Sequence, residues 1–330
     1  MIGYIILGVV SFLILVVIFL LIVAKIAHKK LFGNRYKSDS RISFYTKEEF
    51  GLKTKDVEIP LKDIKLKGSI FYYDNCKDDS LFIYCHGMWS GIPEYVQDIE
   101  FFCKNGYPVL AIEYEGTNNS EGKSIRGISN SLRCIDSVMK YVMNDEELKN
   151  KKIYVAGHSW GGFATSNIPY YYPNIKGIIA ISPFIDIIDC FKGLMKKPLW
   201  FIIPFIKVID FFACGKFALA NSKKSLRNFK GNIVILHSKN DNIVNFMYNT
   251  NKLMNDKKIN AKYMISSDKY HFPNYTMEAI HLFLEFQKTM QSLHTNEEKT
   301  EYMKTCNFHK MGEIDSLALK EALDYATKEN

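Results

Sequence analysis

Gly157-His158-Ser159-Trp160-Gly161 sets one hydroxyl between two glycines at the spacing G-x-S-x-G, a pattern suited to a nucleophile on a sharp turn. A strand that ends in such a turn and enters a helix at once forces the turning residue into a strained backbone conformation. Side chains two positions to either side would clash there, which selects glycine at both. The chemistry this favours is attack by the Ser159 hydroxyl on an acyl carbonyl. A hydroxyl is a weak nucleophile near neutral pH, so it needs a base to take its proton and an acid to orient that base. The oxyanion formed on attack needs N–H donors already aimed at it, and the amide of Trp160, just past the nucleophile, is one.

The flanking residues have the form that such a corner requires. "KIYVA" before it is a short β-rich run, and "GFATSNIPYYY" after it reads as a helix. From about Asp56 onward such runs take turns with helical stretches. "DVEIPL" and "LKGSIFYY" read as an antiparallel opening pair. "LFIYCHG", "YPVLAIEY", "IKGIIAISPF", "NIVILHSKND" and "AKYMISS" read as further strands, several apolar almost throughout. Between them, "GISNSLRCIDSVMKYVMND" puts Ile128, Leu132, Ile135, Val138 and Val142 on one helical face. The alternation predicts an α/β domain with a mostly parallel sheet.

Two segments stand outside that rhythm. Met1 to Ala24 carries no charged side chain, and at about 1.5 Å per residue it crosses a hydrocarbon core of roughly 30 Å. No basic stretch precedes it and no A-x-A site follows, so an uncleaved anchor is expected over a signal peptide. Lys25, Lys29, Lys30, Arg35 and Lys37 crowd its C-terminal side, which predicts a cell-membrane protein with a cytoplasmic main domain. Residues 185–230 form an apolar, aromatic insertion broken by Pro198 and Pro204. A cap over a pocket is the expected reading, against extra core or a membrane-dipping element.

With His86-Gly87 closing the strand "LFIYCHG" and the Ser159 elbow in place, the sequence resembles the α/β-hydrolase family, in its serine esterase, lipase and aminopeptidase-like branch. The resemblance implies an eight-stranded, mostly parallel sheet with helices on both faces and a cap after strand six. The expected organisation is an anchor at 1–25, a juxtamembrane linker at 26–54, a hydrolase domain at 55–291 with its cap at 185–230, and a polar, helical extension at 292–330. The family's order of serine, acid, histidine implies Asp241 as the acid and His271 as the base. Asp186, after the sixth strand, is the rival acid, and Asp268 reads as a solvated loop charge. His237 reads as a satisfied core histidine, and His158 as the variable position of the elbow. The resemblance also implies the Met88 amide as the second oxyanion donor, and a substrate-binding role for His86, Gly87 and Glu115, with His86 propping its loop. Relatives often carry D-x-R-G-x-G-x-S after the fourth strand; here "EYEGTNNSEG" has no arginine, so the expected substrate preference differs.

The bulk numbers bound the function. A net charge of +8 with scattered lysines and no recognition motif argues against a nucleic-acid partner. A membrane surface accounts better for the positives after the apolar run. Seven cysteines without C-x-x-C spacing suggest free thiols in a reducing compartment, and neither a metal nor an organic cofactor is implied. The expectation is a membrane-anchored serine hydrolase acting on a small acyl ester, possibly derived from lipid. Glu94, Glu113 or Glu115 holding a substrate amine would favour an aminopeptidase-like reading instead. A non-catalytic scaffold of the same fold is the third.

Overall fold

Runs of β-branched and aromatic residues that are apolar at nearly every position have both faces covered, and these runs organise the protein. The computed structural model describes residues 1–42 and 44–329. Its eight strands are β1 (Lys53–Leu61), β2 (Ile64–Tyr72), β3 (Ser80–Cys85), β4 (Val109–Ile112), β5 (Lys152–His158), β6 (Gly177–Ile181), β7 (Asn232–Ser238) and β8 (Lys262–Ser266). They form one sheet in the order β1-β2-β4-β3-β5-β6-β7-β8. β2 pairs antiparallel with both β1 and β4, and every pairing from β4 to β8 is parallel. The sheet is therefore mixed, with the antiparallel pair at one edge. Every residue of β3, β4 and β6 is buried.

The first helices in the chain are α1 (Ile2–Phe32), α2 (Val96–Lys104), α3 (Asn130–Asn144) and α4 (Trp160–Asn167). The insertion between β6 and β7 contains α5 (Ile187–Leu194), α6 (Ile203–Cys214) and α7 (Ser222–Leu226). The remainder are α8 (Thr250–Met254), α9 (Met277–Ser292), α10 (Asn296–Thr305), α11 (Phe308–Met311) and α12 (Ser316–Ala326). Alternation along β3 divides the core. Leu81, Ile83 and Cys85 join the apolar residues of α3 and α4 on one face. Phe82 and Tyr84 join those of α2 and α12 on the other.

Two boundaries differ from the sequence reading. The first helix continues past residue 25 to Phe32, because Ala24, His28 and Phe32 recur at a spacing of four and bury one face against the domain. The following stretch, expected as a linker, is packed: the Tyr36 amide donates to the Gly116 carbonyl, and Phe44 is buried with Phe286 and Phe308. At the other end, α12 is part of the domain and no appendage. Leu319, Ala322, Leu323 and Ala326 are buried under the sheet.

Candidate active site

The corner after β5 has the predicted strain and the predicted reason for glycine. Ser159 holds φ 56° and ψ −110° between β5 and α4, a conformation that non-glycine residues avoid. Its amide donates to the Ile181 carbonyl at 2.8 Å. A Cβ on Gly161 would lie 1.9 Å from the Cys85 carbonyl oxygen, so α4 could not approach β3 this closely with any other residue. Trp160 begins α4, where amides have no partner within the helix. The Met88 amide likewise has no acceptor among the described residues.

The residues predicted as acid and base come from the loops after β7 and β8, at the same sheet edge. His271 Nδ1 lies 2.8 Å from Asp241 Oδ2. Asp241 Oδ1 accepts the amides of Ile243 and Val244, each at 2.8 Å. Oδ2 also faces His237 Nε2 at 3.1 Å. That nitrogen has a second acceptor, the Val244 carbonyl, at 2.9 Å, so it carries the proton, and Nδ1 accepts from the Thr250 hydroxyl at 2.6 Å. Burial alone would raise the Asp241 pKa. The neighbouring His271 and the hydrogen bonds from His237 and His271 outweigh it and hold the carboxyl well below the usual range. An ionised Asp241 keeps the His271 proton on Nδ1 and turns Nε2 outward as the basic nitrogen.

The loop carrying His271 is tied to both sides of the elbow. Its carbonyl faces His158 Nε2 at 2.8 Å and accepts the Ser182 hydroxyl at 3.1 Å. His158 precedes Ser159, and Ser182 follows the Ile181 carbonyl that holds the Ser159 amide. His158 is therefore more than a variable position. With Nε2–H donating to His271, its Nδ1 accepts from the Tyr95 hydroxyl at 2.8 Å, and Tyr95 in turn accepts the Gly87 amide at 3.1 Å. Burial first, then the neighbouring His271, pushes the His158 pKa down to about 3, so the ring stays neutral and the relay keeps its direction. One chain of hydrogen bonds thus connects the loop beside Met88 to His271. His158 reads in the sequence as the variable position of the elbow, and nothing in the chain marks Tyr95. The only signal in the chain is the histidine inside the elbow.

Gly87, Met88, His158, Ser159, Trp160 and His271 line one cavity of about 730 Å³. Its walls are apolar: Phe32 ends α1, Phe191 and Leu194 belong to α5, and Phe283 and Phe286 belong to α9. The insertion thus contributes to the pocket through α5. Tyr36, Ile42 and Phe44, from the stretch expected as a linker, complete it.

Two predicted binding residues lie elsewhere. Glu115 is buried with its carboxylate paired to Arg133 and, at 2.8 Å, to Arg126, so it is sealed away from the cavity. His86 does not line the cavity either. Its Nδ1 lies 2.7 Å from the Gly87 carbonyl and its Nε2 accepts the Tyr114 amide at 3.2 Å. Burial lowers its pKa to about 4, and it props the loop as a neutral ring. The rival acid Asp186 caps α5, accepting the Asp189 amide at 2.9 Å and the Asn221 side chain at 2.7 Å. Of the acidic candidates for an amine, Glu94 lines the cavity. Its oxygens already accept from the Tyr36 and Ser38 hydroxyls and from the Gly91 amide. No group of three or more His, Cys, Asp or Glu is placed to hold a metal among the described residues.

Comparison with known proteins agrees with this fold. The family model described as serine aminopeptidase, S33, matches residues 77–267, a stretch that takes in Ser159 and Asp241 and stops short of His271. A curated relative, the uncharacterized protein F37A4.1 of Caenorhabditis elegans, is 28% identical over 96 residues, 29% of this chain and 19% of that protein. The match thus spans about a fifth of that relative's length. Among solved structures, an esterase of Pyrococcus furiosus superposes with a TM-score of 0.56 at 22% identity, covering 78% of this chain and 96% of that one. Est1E from Butyrivibrio proteoclasticus, solved with ferulic acid bound, gives 0.54 at 20%, covering 72% and 100%. At such identities these structures speak for the fold. With the family model spanning more than half its length, the chain belongs to the α/β-hydrolase family, in the branch described as serine aminopeptidase, S33.

Proposed function

We propose that the protein is a membrane-anchored serine hydrolase that cleaves acyl esters. Ser159 Oγ attacks the acyl carbonyl carbon while its proton passes to His271 Nε2. The tetrahedral oxyanion is held by the Trp160 and Met88 amides. On collapse the C–O bond to the leaving group breaks, and His271 returns the proton to the departing alkoxide. Water, deprotonated by His271, then attacks the acyl-enzyme; its hydroxyl joins the acyl group, and the proton returns to Ser159. Asp241 stays ionised throughout and orients the imidazole. The observation that carries this reading is the His271 loop, fixed by His158 and Ser182 on both sides of the Ser159 corner over one cavity.

The apolar walls favour an acyl chain, including one derived from lipid. An ester is favoured over an amide because Glu94, the acidic residue on the cavity wall, has its oxygens occupied. α1 is long and apolar enough to span a bilayer, and the lysines after it favour a cytoplasmic catalytic domain. Purified protein assayed with p-nitrophenyl esters from acetyl to palmitoyl, and with aminoacyl anilides, tests the reading. Turnover extending to the longer esters is expected. Turnover of the anilides alone, or of acetyl ester alone, would overturn the substrate class.

A further inference from the structure

α1 leaves the domain at a defined height. Its residues from Ile2 to Phe19 are all exposed, and contact with the body begins at Leu20 and deepens at Ala24 and His28. That free stretch is about 27 Å long at a rise of roughly 1.5 Å per residue, slightly less than a hydrocarbon core of about 30 Å. With contact to the body beginning immediately after this apolar stretch, the face of the domain around the exit lies close to the lipid when the stretch spans a bilayer.

The element at that exit is α6. His28 Nε2 lies 3.2 Å from Asp210 Oδ1, and the same oxygen accepts the Ile128 amide at 2.8 Å. A Cβ on Gly127 would fall 2.3 Å from that oxygen, so the three segments are packed to contact. α6 buries Ile203, Ile206, Asp210 and Cys214 and leaves Val208, Phe211 and Phe212 in the open, the last 81% exposed. Leu199 and Phe201, in the turn before it, are exposed too. Aromatic residues open to water beside a bilayer-length apolar helix are an unpartnered surface next to a ready partner. Charge agrees. Between Phe191 and Gly231 the sequence has nine lysines and arginines against one carboxylate, the buried Asp210.

We infer that the exposed face of α6, with Leu199 and Phe201, docks into the interface of an anionic lipid bilayer beside the point where α1 enters it. This rests on the anchor reading above and places the insertion as a membrane-contacting element as well as a pocket wall. Phe211 and Phe212 bury into the acyl boundary, and Lys197, Lys207 and Lys216 meet anionic headgroups.

The full chain, reconstituted in phosphatidylcholine/phosphatidylglycerol vesicles with Cys76 and Cys306 replaced by serine, tests this. Single cysteines at Phe212, at Leu317 on α12 and at Phe12 in α1 are labelled with an environment-sensitive dye. Quenching by doxyl lipid is then compared with quenching by aqueous iodide. At Phe212 lipid quenching is expected to exceed iodide quenching at least twofold, with the reverse at Leu317. Iodide dominating at both Phe212 and Leu317, while Phe12 is quenched by lipid, would overturn the docking and leave the anchor standing. Iodide dominating at Phe12 as well would overturn both.

Discussion

Two buried aspartates of this molecule pair with histidine, and they differ in what surrounds them. In His271–Asp241 the carboxylate takes two amides and two imidazoles, and the His271 ring beyond it opens on a cavity shared with Ser159. In His28–Asp210 the carboxylate has one amide and one imidazole, Oδ2 has no partner among the described residues, and no nucleophile is paired with the ring. A paired imidazole becomes a base when its second nitrogen faces a reacting group. Without one, the same pair is a tie between two helices.

The sharpest way to break the comparison is to neutralise each acid. Asp241→Asn removes the charge that fixes the His271 tautomer, and kcat on a short ester is expected to fall about 10⁴-fold. Asp210→Asn is expected to leave kcat within about threefold. Equal losses in steady-state assays would abolish the distinction. Stability should respond the other way. His28→Leu strands a buried carboxylate, and denaturant unfolding is expected to report a loss of roughly 3–5 kcal/mol. His28→Leu combined with Asp210→Leu should recover most of it, because two apolar side chains leave no charge unpaired. Failure of that recovery would show that the tie does more than hold the helices together.

How much of this was legible in the chain follows from how each residue acts. Ser159, Gly157 and Gly161 are local: one corner dictates their types, so a five-residue window reveals them. Asp241 and His271 stand at strand ends, and family order supplied their roles. The ties were hidden because they join distant segments. Nothing near His28 signals Asp210, and nothing near His158 signals Tyr95 or the His271 carbonyl. Glu115 misled for a related reason. A loop glutamate beside a pocket reads as a ligand until Arg126 and Arg133 are brought to it by the fold.

Smaller effects sharpen the contrast. His158→Phe should keep the ring stacked on Phe272 but cut both of its hydrogen bonds. kcat is expected to fall about 10–100-fold with KM little changed, since the bonds lost are those that position the His271 loop. A change confined to KM would instead place His158 in substrate binding.

pH separates the acids further. Burial raises Glu113 to about 7, above the ordinary value of roughly 4.3, so folding takes up a proton and stability falls as pH rises through about 7. Asp241, held low, has the opposite sign: its contribution is present above about 3.9 and is lost as pH falls through its folded value. Glu113→Gln is expected to flatten the fall in melting temperature between about pH 5 and 7.5. An unchanged slope would contradict the burial argument.

The central claim is that Ser159 is a nucleophile activated by His271. A fluorophosphonate probe followed by peptide mass spectrometry tests it most directly. The account predicts a single adduct on Ser159, lost in Ser159→Ala and formed at least 10³-fold more slowly in His271→Ala. An adduct on another serine, or labelling of Ser159 at the same rate without His271, would contradict it.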